Sequence, residues 1–249
     1  MIRQKIVAGN WKMNGSKESI QTLISGLLDM DGSNSEVVIA PSFPYLSQVH
    51  DLIDGSNLVM AAQNASQEEK GAFTGEVSVS MLADFGVKYI LLGHSERRSL
   101  YGETDEVVAS KVKTVLGFGL IPMLCIGETL EERESGKTLE VCERQIQAVI
   151  DVVGVESFAK MTIAYEPVWA IGTGLSASAD QAQEVHQSIR AFLAKSSESV
   201  SEKVQILYGG SVKASTSSAL FKMPDVDGAL VGGASLDAKE FIAIVKTAG

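Results

Sequence analysis

Short runs of apolar, often β-branched residues recur along the chain. Between them lie longer stretches in which apolar positions return every three or four residues. The runs read as buried strands: Lys5–Trp11, Glu36–Ala40, Leu58–Gln63, Tyr89–Gly93, Ile121–Ile126, Met161–Tyr165, Gln205–Tyr208 and Gly228–Val231, eight in all. Several are apolar on both faces, as expected of a parallel sheet covered by helices. The intervening stretches suit those helices. Cys142, Ile146, Val149, Ile150 and Val153 fall on one helical face, as do Val185, Ile189, Phe192 and Leu193. Thr129 with Glu132, and Ser178 with Gln181, have capping-box spacing and predict helix starts. Eight βα units with no linker or low-complexity break predict an α/β fold. Its expected form is a single-domain (β/α)8 barrel over residues 1–249, eight parallel strands inside an outer ring of helices. A doubly wound open sheet is the alternative. The residues after the first run, Ala8-Gly9-Asn10-Trp11, lack the Gly-rich dinucleotide fingerprint such a sheet more often shows.

Composition narrows the partners. Hydrophobic residues make up 45% and charged residues 21% of 249, and the formal net charge is −10. That charge argues against a general nucleic-acid or anionic-membrane surface, so an anionic substrate would need a local cluster of donors. The start, Met1 to Gly9, is too short for a signal-peptide apolar region, and no run reaches spanning length. Cys125 and Cys142 make no disulfide framework, and no Cys/His group has metal-ligand spacing. The expectation is a cytoplasmic protein without metal or other cofactor.

Chemistry in such a barrel sits at the C-terminal strand ends. The sixth run ends at Glu166, and Pro167 stops the strand, because proline fixes φ and offers no ladder donor. Trp169 and then Gly172-Thr173-Gly174 follow: a carboxylate on a rigid strand end before a loop with a stiff start and a flexible tip. That is the pattern of a catalytic base beside a lid. The first run ends in Asn10 and Lys12, two residues apart and so on one strand face. The fourth ends in Gly93-His94-Ser95-Glu96-Arg97-Arg98, the seventh in Gly209-Gly210-Ser211, the eighth in Gly232-Gly233. Singly, each has a plain structural explanation: Lys12 a solvated charge, His94 a hydrogen-bonded core histidine, the glycine pairs turns. Together they converge on one mouth. A carboxylate, an imidazole, a cation and two Gly-rich phosphate cradles suit proton transfer within a small phosphorylated carbonyl compound, through an enediolate.

Five stretches then resemble the triosephosphate isomerase family: Ala8–Asn14, Gly93–Arg98, Ala164–Gly174, Tyr208–Val212 and Leu230–Ser235. The resemblance runs the length of the chain in the expected order. It implies interconversion of dihydroxyacetone phosphate and D-glyceraldehyde 3-phosphate, in glycolysis and gluconeogenesis. Glu166 would be the base, His94 the neutral imidazole that polarises the carbonyl and shuttles protons, and Lys12 and Asn10 would steady the developing charge. Gly172, Ser211, Gly232 and Gly233 would hold the phosphate. Pro167, Val168, Trp169, Ala170, Ile171, Gly172, Thr173, Gly174, Leu175, Ser176 and Ala177 would form the lid. Glu96, Cys125 and Tyr208 would support the site. The family is typically homodimeric, which casts Gln63, Asn64, Thr74 and Arg97 as interface residues, Thr74 reaching the partner's site near Asn10 and Glu96. One position departs from the family: Leu175 stands where the lid's end usually carries lysine, so lid opening is expected to be altered. Two other readings stay open at this point, a barrel aldolase with Lys12 as Schiff-base nucleophile and a catalytically silent phosphate binder on the same scaffold.

Overall fold

The computed structural model describes residues 3–30, 33–171 and 177–249. Eight strands form a closed barrel in chain order: β1 (Ile6–Asn10), β2 (Glu36–Ala40), β3 (Leu58–Ala62), β4 (Tyr89–Leu92), β5 (Ile121–Ile126), β6 (Thr162–Tyr165), β7 (Gln205–Tyr208) and β8 (Gly228–Val231). Every ladder is parallel, and β1 closes the circle, with Ile6 opposite Glu36 on one side and Gly228 on the other. The open-sheet alternative is thereby excluded. Strand limits match those read from the apolar runs to within one or two residues. Gly93 leaves the fourth ladder because its backbone turns to a φ of 72°.

Strand alternation sorts the apolar side chains into two cores. Ile6, Ala8, Val38, Leu91, Met123 and Leu207 belong to the barrel interior, with Cys125 and Ala164. Their neighbours Val7, Val37, Ile39, Leu92, Leu124 and Ile206 pack in the layer between strands and helices, with Trp11, Phe158 and Phe241. Both populations are buried, so the strands carry apolar residues on both faces. Nearly all of the helix face read at Cys142, Ile146 and Val149, and at Val185, Ile189 and Leu193, is buried, with Ile150, Val153 and Phe192 packing at its margin.

Both capping boxes are formed. Ser178 opens Ala179–Ala194, as expected. Thr129 opens only Leu130–Glu134, and the longer helix starts anew at Thr138. Gly136, at φ 70°, breaks the two apart in a left-handed turn that a β-carbon would resist. Among the described residues no helix is long and apolar enough to cross a membrane.

Candidate active site

Three neighbouring loops build the centre of the barrel mouth. At the end of β4, His94 caps the helix Ser95–Tyr101, and its Nδ1 accepts the backbone N–H of Glu96 at 3.2 Å. A ring nitrogen that accepts carries no proton, so the opposite nitrogen, Nε2, bears it. Nε2 lies 2.9 Å from Oε1 of Glu166. The other carboxylate oxygen, Oε2, accepts the N–H of Ser95 at 3.0 Å. Glu166 is only 2% exposed, yet both of its oxygens are paired. Burial disfavours a charged His94 ring. The Glu166 carboxylate, by charge and by hydrogen bond, and then Glu96 outweigh burial, so the histidine pKa stands above its ordinary value in this arrangement. The Glu96 N–H works the other way, because an imidazolium has no lone pair to accept it.

Lys12 is the one described non-glycine residue with a positive φ, 52°. Its strained backbone is held from three sides. Its N–H donates to Asn10 Oδ1 (3.0 Å), and its carbonyl accepts from Ser42 Oγ (2.7 Å) and Gln63 Nε2 (2.8 Å). Asn10 and Lys12 therefore reach one cavity through this turn and not through a shared strand face, since β1 ends at Asn10. The lysine ammonium pairs with Glu96. Asn10, Lys12, His94 and Glu166 line the mouth cavity with Ile171, Gly209, Gly210, Ser211, Leu230 and Gly232. Gly233 is not among its lining residues; it opens the single turn Gly233–Leu236 beside it. Gly210 is required for close approach, since a β-carbon there would lie 2.2 Å from the Tyr208 hydroxyl.

The loop after Glu166 is anchored at both described ends. Pro167 leads into the turn Val168–Ala170. The indole Nε1 of Trp169 donates to Glu128 Oε1 (2.9 Å), and the guanidinium of Arg133 lies 4.4 Å above the indole ring. At the far end Ala177 N–H donates to the Tyr208 hydroxyl at 3.2 Å. Of the residues read as the lid, Gly172, Thr173, Gly174, Leu175 and Ser176 lie outside the described residues, and with them the departure at Leu175 and one expected phosphate donor.

Glu128 escaped the sequence reading. It is fully buried at the end of β5, and besides Trp169 it receives the Tyr165 hydroxyl and Arg133. The one hint was its place after Gly127, directly past a strand end. A β-carbon on Gly127 would sit 1.8 Å from the carbonyl oxygen of Glu166, so only glycine lets the two loops touch. Cys125 is buried in the barrel interior behind this layer, and burial, with Glu166 nearby, pushes its thiol well above the ordinary range. Among the residues cast at the interface, Gln63 holds the Lys12 carbonyl, Asn64 accepts from the buried Lys111, and Arg97 donates to Glu103 at 2.6 Å. Thr74 stands exposed on its loop and does not enter this chain's own mouth.

The family model for triosephosphate isomerase matches residues 5–248. A protein of Hydrogenovibrio crunogenus named triosephosphate isomerase is 55% identical over all of this chain and 99% of its own length. Namesakes from Pseudomonas entomophila and Colwellia psychrerythraea are 53% and 52% identical, again over all of this chain and 100% and 99% of theirs. With a match of this extent and a mouth of this composition, the chain belongs to the triosephosphate isomerase family.

Proposed function

We infer that the chain interconverts dihydroxyacetone phosphate and D-glyceraldehyde 3-phosphate through an enediolate, a reading supported by relatives named triosephosphate isomerase. The observation that carries the reading is the meeting of Glu166, His94, Lys12 and Asn10 in one cavity. Glu166 takes a proton from the carbon beside the carbonyl and returns it to the neighbouring carbon. The Nε2–H of His94 supports the substrate oxygens. Once Glu166 leaves the ring for substrate, the larger of the influences that raise the histidine pKa goes with it, and only the pull of Glu96 remains. Burial and the Glu96 N–H then favour the neutral donor. Lys12 supplies positive charge to the enediolate and the phosphate, and Asn10 a hydrogen bond. Backbone N–H groups of Ser211, Gly232 and Gly233, with Gly172, bind the phosphate. The loop from Pro167 to Ala177 closes over the intermediate and excludes water. Nothing favours Lys12 as a Schiff-base nucleophile: its ammonium is paired with Glu96 and about a quarter exposed, not desolvated.

The working form is a homodimer of single-domain chains in the cytoplasm. Met13, next to the mouth residue Lys12, is 94% exposed, and Tyr101, Met81 and Phe73 are also open to solvent, apolar side chains that a second copy would cover.

The test is Glu166→Asp in a coupled assay with glyceraldehyde 3-phosphate. Drawing the carboxylate back by one methylene leaves charge and binding in place but spoils its reach. Turnover is expected to fall about a hundredfold or more, with KM changed far less. Equal turnover in the variant would remove Glu166 from the chemistry.

A further inference from the structure

Glu166 lines a second cavity as well as the mouth. This one measures about 410 Å³ and opens between the helix Ser95–Tyr101, the start of the helix Asp105–Gly117 and the loop after β5. Ser95, Arg98, Ser99, Glu106, Gly127 and Val168 are among its walls. No described residue other than Glu166 lines both cavities. The carboxylate is divided accordingly: Oε1 is held by His94, a wall of the mouth, and Oε2 by the N–H of Ser95, a wall of the second cavity. Arg98, Asp105, Glu106 and Arg144 bring charged groups to walls that are otherwise largely apolar, and the volume leaves room for ordered water beside them.

We propose that this rear cavity is the solvent side of the base, the route by which water reaches Glu166 and exchanges its proton during turnover. The inference rests on the reading of Glu166 as base. When the carboxylate takes a proton from substrate carbon, it becomes a carboxylic acid beside an enediolate. It can return that proton to the neighbouring carbon. Alternatively, the acid gives its proton to a water and takes one back from solvent, with no net change in charge, before delivering it. A closed lid shuts the mouth to water, but the rear cavity lies on the other side of the Ser95 and Glu166 pair. The division between direct return and exchange is then set by the rear walls and not by the lid.

Turnover of glyceraldehyde 3-phosphate in D₂O tests this, with initial dihydroxyacetone phosphate read by proton NMR for deuterium against protium at the carbon that receives the proton. Ser99→Leu and Glu106→Phe each fill the cavity from an exposed position on a different wall. Neither residue touches the mouth. Both variants are expected to keep isomerising while the deuterium-to-protium ratio falls about threefold or more, since a filled cavity no longer holds water. Ser99→Ala removes the hydroxyl donated to the Ser95 carbonyl without filling space, and it should keep the wild-type ratio. An unchanged ratio in filled variants that turn over overturns the route, and so does a fall in Ser99→Ala equal to that in Ser99→Leu. Absence of isomerisation in the wild type would instead overturn the reading of Glu166 itself.

Discussion

At Glu128 a single buried carboxylate receives a phenol, an indole and a guanidinium. Removing it takes a buried acceptor from the Tyr165 hydroxyl and the Trp169 indole N–H, and the carboxylate from Arg133. Glu128→Leu is therefore expected to lower stability by about 3 kcal/mol, read as a shift in the denaturant midpoint. Glu128→Gln keeps an acceptor and should cost less stability. A neutral amide oxygen nonetheless holds the indole N–H and Arg133 more weakly than a carboxylate does, so the loop's first anchor loosens and lower turnover with near-native stability is the expected outcome. Glu166, His94, Lys12 and Asn10 were legible because strand ends in a barrel are few and these residue types are rare at them. Glu128 was not: a lone Glu after a Gly has no spacing partner in the sequence, and two of its partners, Tyr165 and Trp169, stand 37 and 41 residues further on. The turn at Lys12 was equally hidden, because a φ of 52° in a lysine is imposed by Asn10, Ser42 and Gln63 and not by its own preference.

The helix Ala179–Ala194 begins beyond the loop and carries His186, which is fully buried. Its ring meets Tyr165 edge-on, with centroids 5.8 Å apart, and lies 6.5 Å from the ring of Tyr208. The helix thus packs under Tyr208, which holds the loop's far end, and Tyr165, whose hydroxyl steadies the Glu128 carboxylate that holds its start. Burial lowers the pKa of His186 from 6.5 to about 4. Between those values the unfolded chain binds the proton and the native chain refuses it. This contribution to stability is therefore complete above pH 6.5 and is lost as pH falls toward 4. The loss across that window should be about 3 kcal/mol. In His186→Gln this part of the acid slope should vanish, although the variant starts from lower stability near neutral pH. Denaturant midpoints taken at several pH values between the two limits would decide it; a parallel fall in both proteins would assign the slope to other groups.

For the whole molecule, the proposed dimer makes the exposed apolar residues around the mouth its buried surface. Met13, almost wholly exposed, lies one residue beyond Lys12. Met13→Asp places a charge where a partner should pack, which costs several kcal/mol if that charge is buried unpaired. The expected result is a monomer in sedimentation equilibrium, with turnover reduced at least about tenfold because the loop carrying Lys12 loses its support. A Met13→Asp protein that still sediments as a dimer would move the interface elsewhere on the surface.

The order of apolar runs and amphipathic stretches by itself determined the barrel, because parallel strands covered on both faces leave a two-sided hydrophobic signature that survives in one dimension. The same sequence determined which residue types stand at the strand ends, and hence the reaction class. The tertiary structure alone decided how those groups face one another. The carboxylate of Glu166 is shared between His94 and Ser95, and the Glu96 N–H settles which nitrogen of His94 carries the proton. Glu128 ties the loop's start to the end of β5, and a second cavity reaches Glu166 from behind. The contacts of Glu166 and Glu128 depend on distances of about 3 Å between atoms far apart in the chain, and that of His94 with Glu96 on how the backbone turns at the strand end; a pattern of residue types holds no record of either.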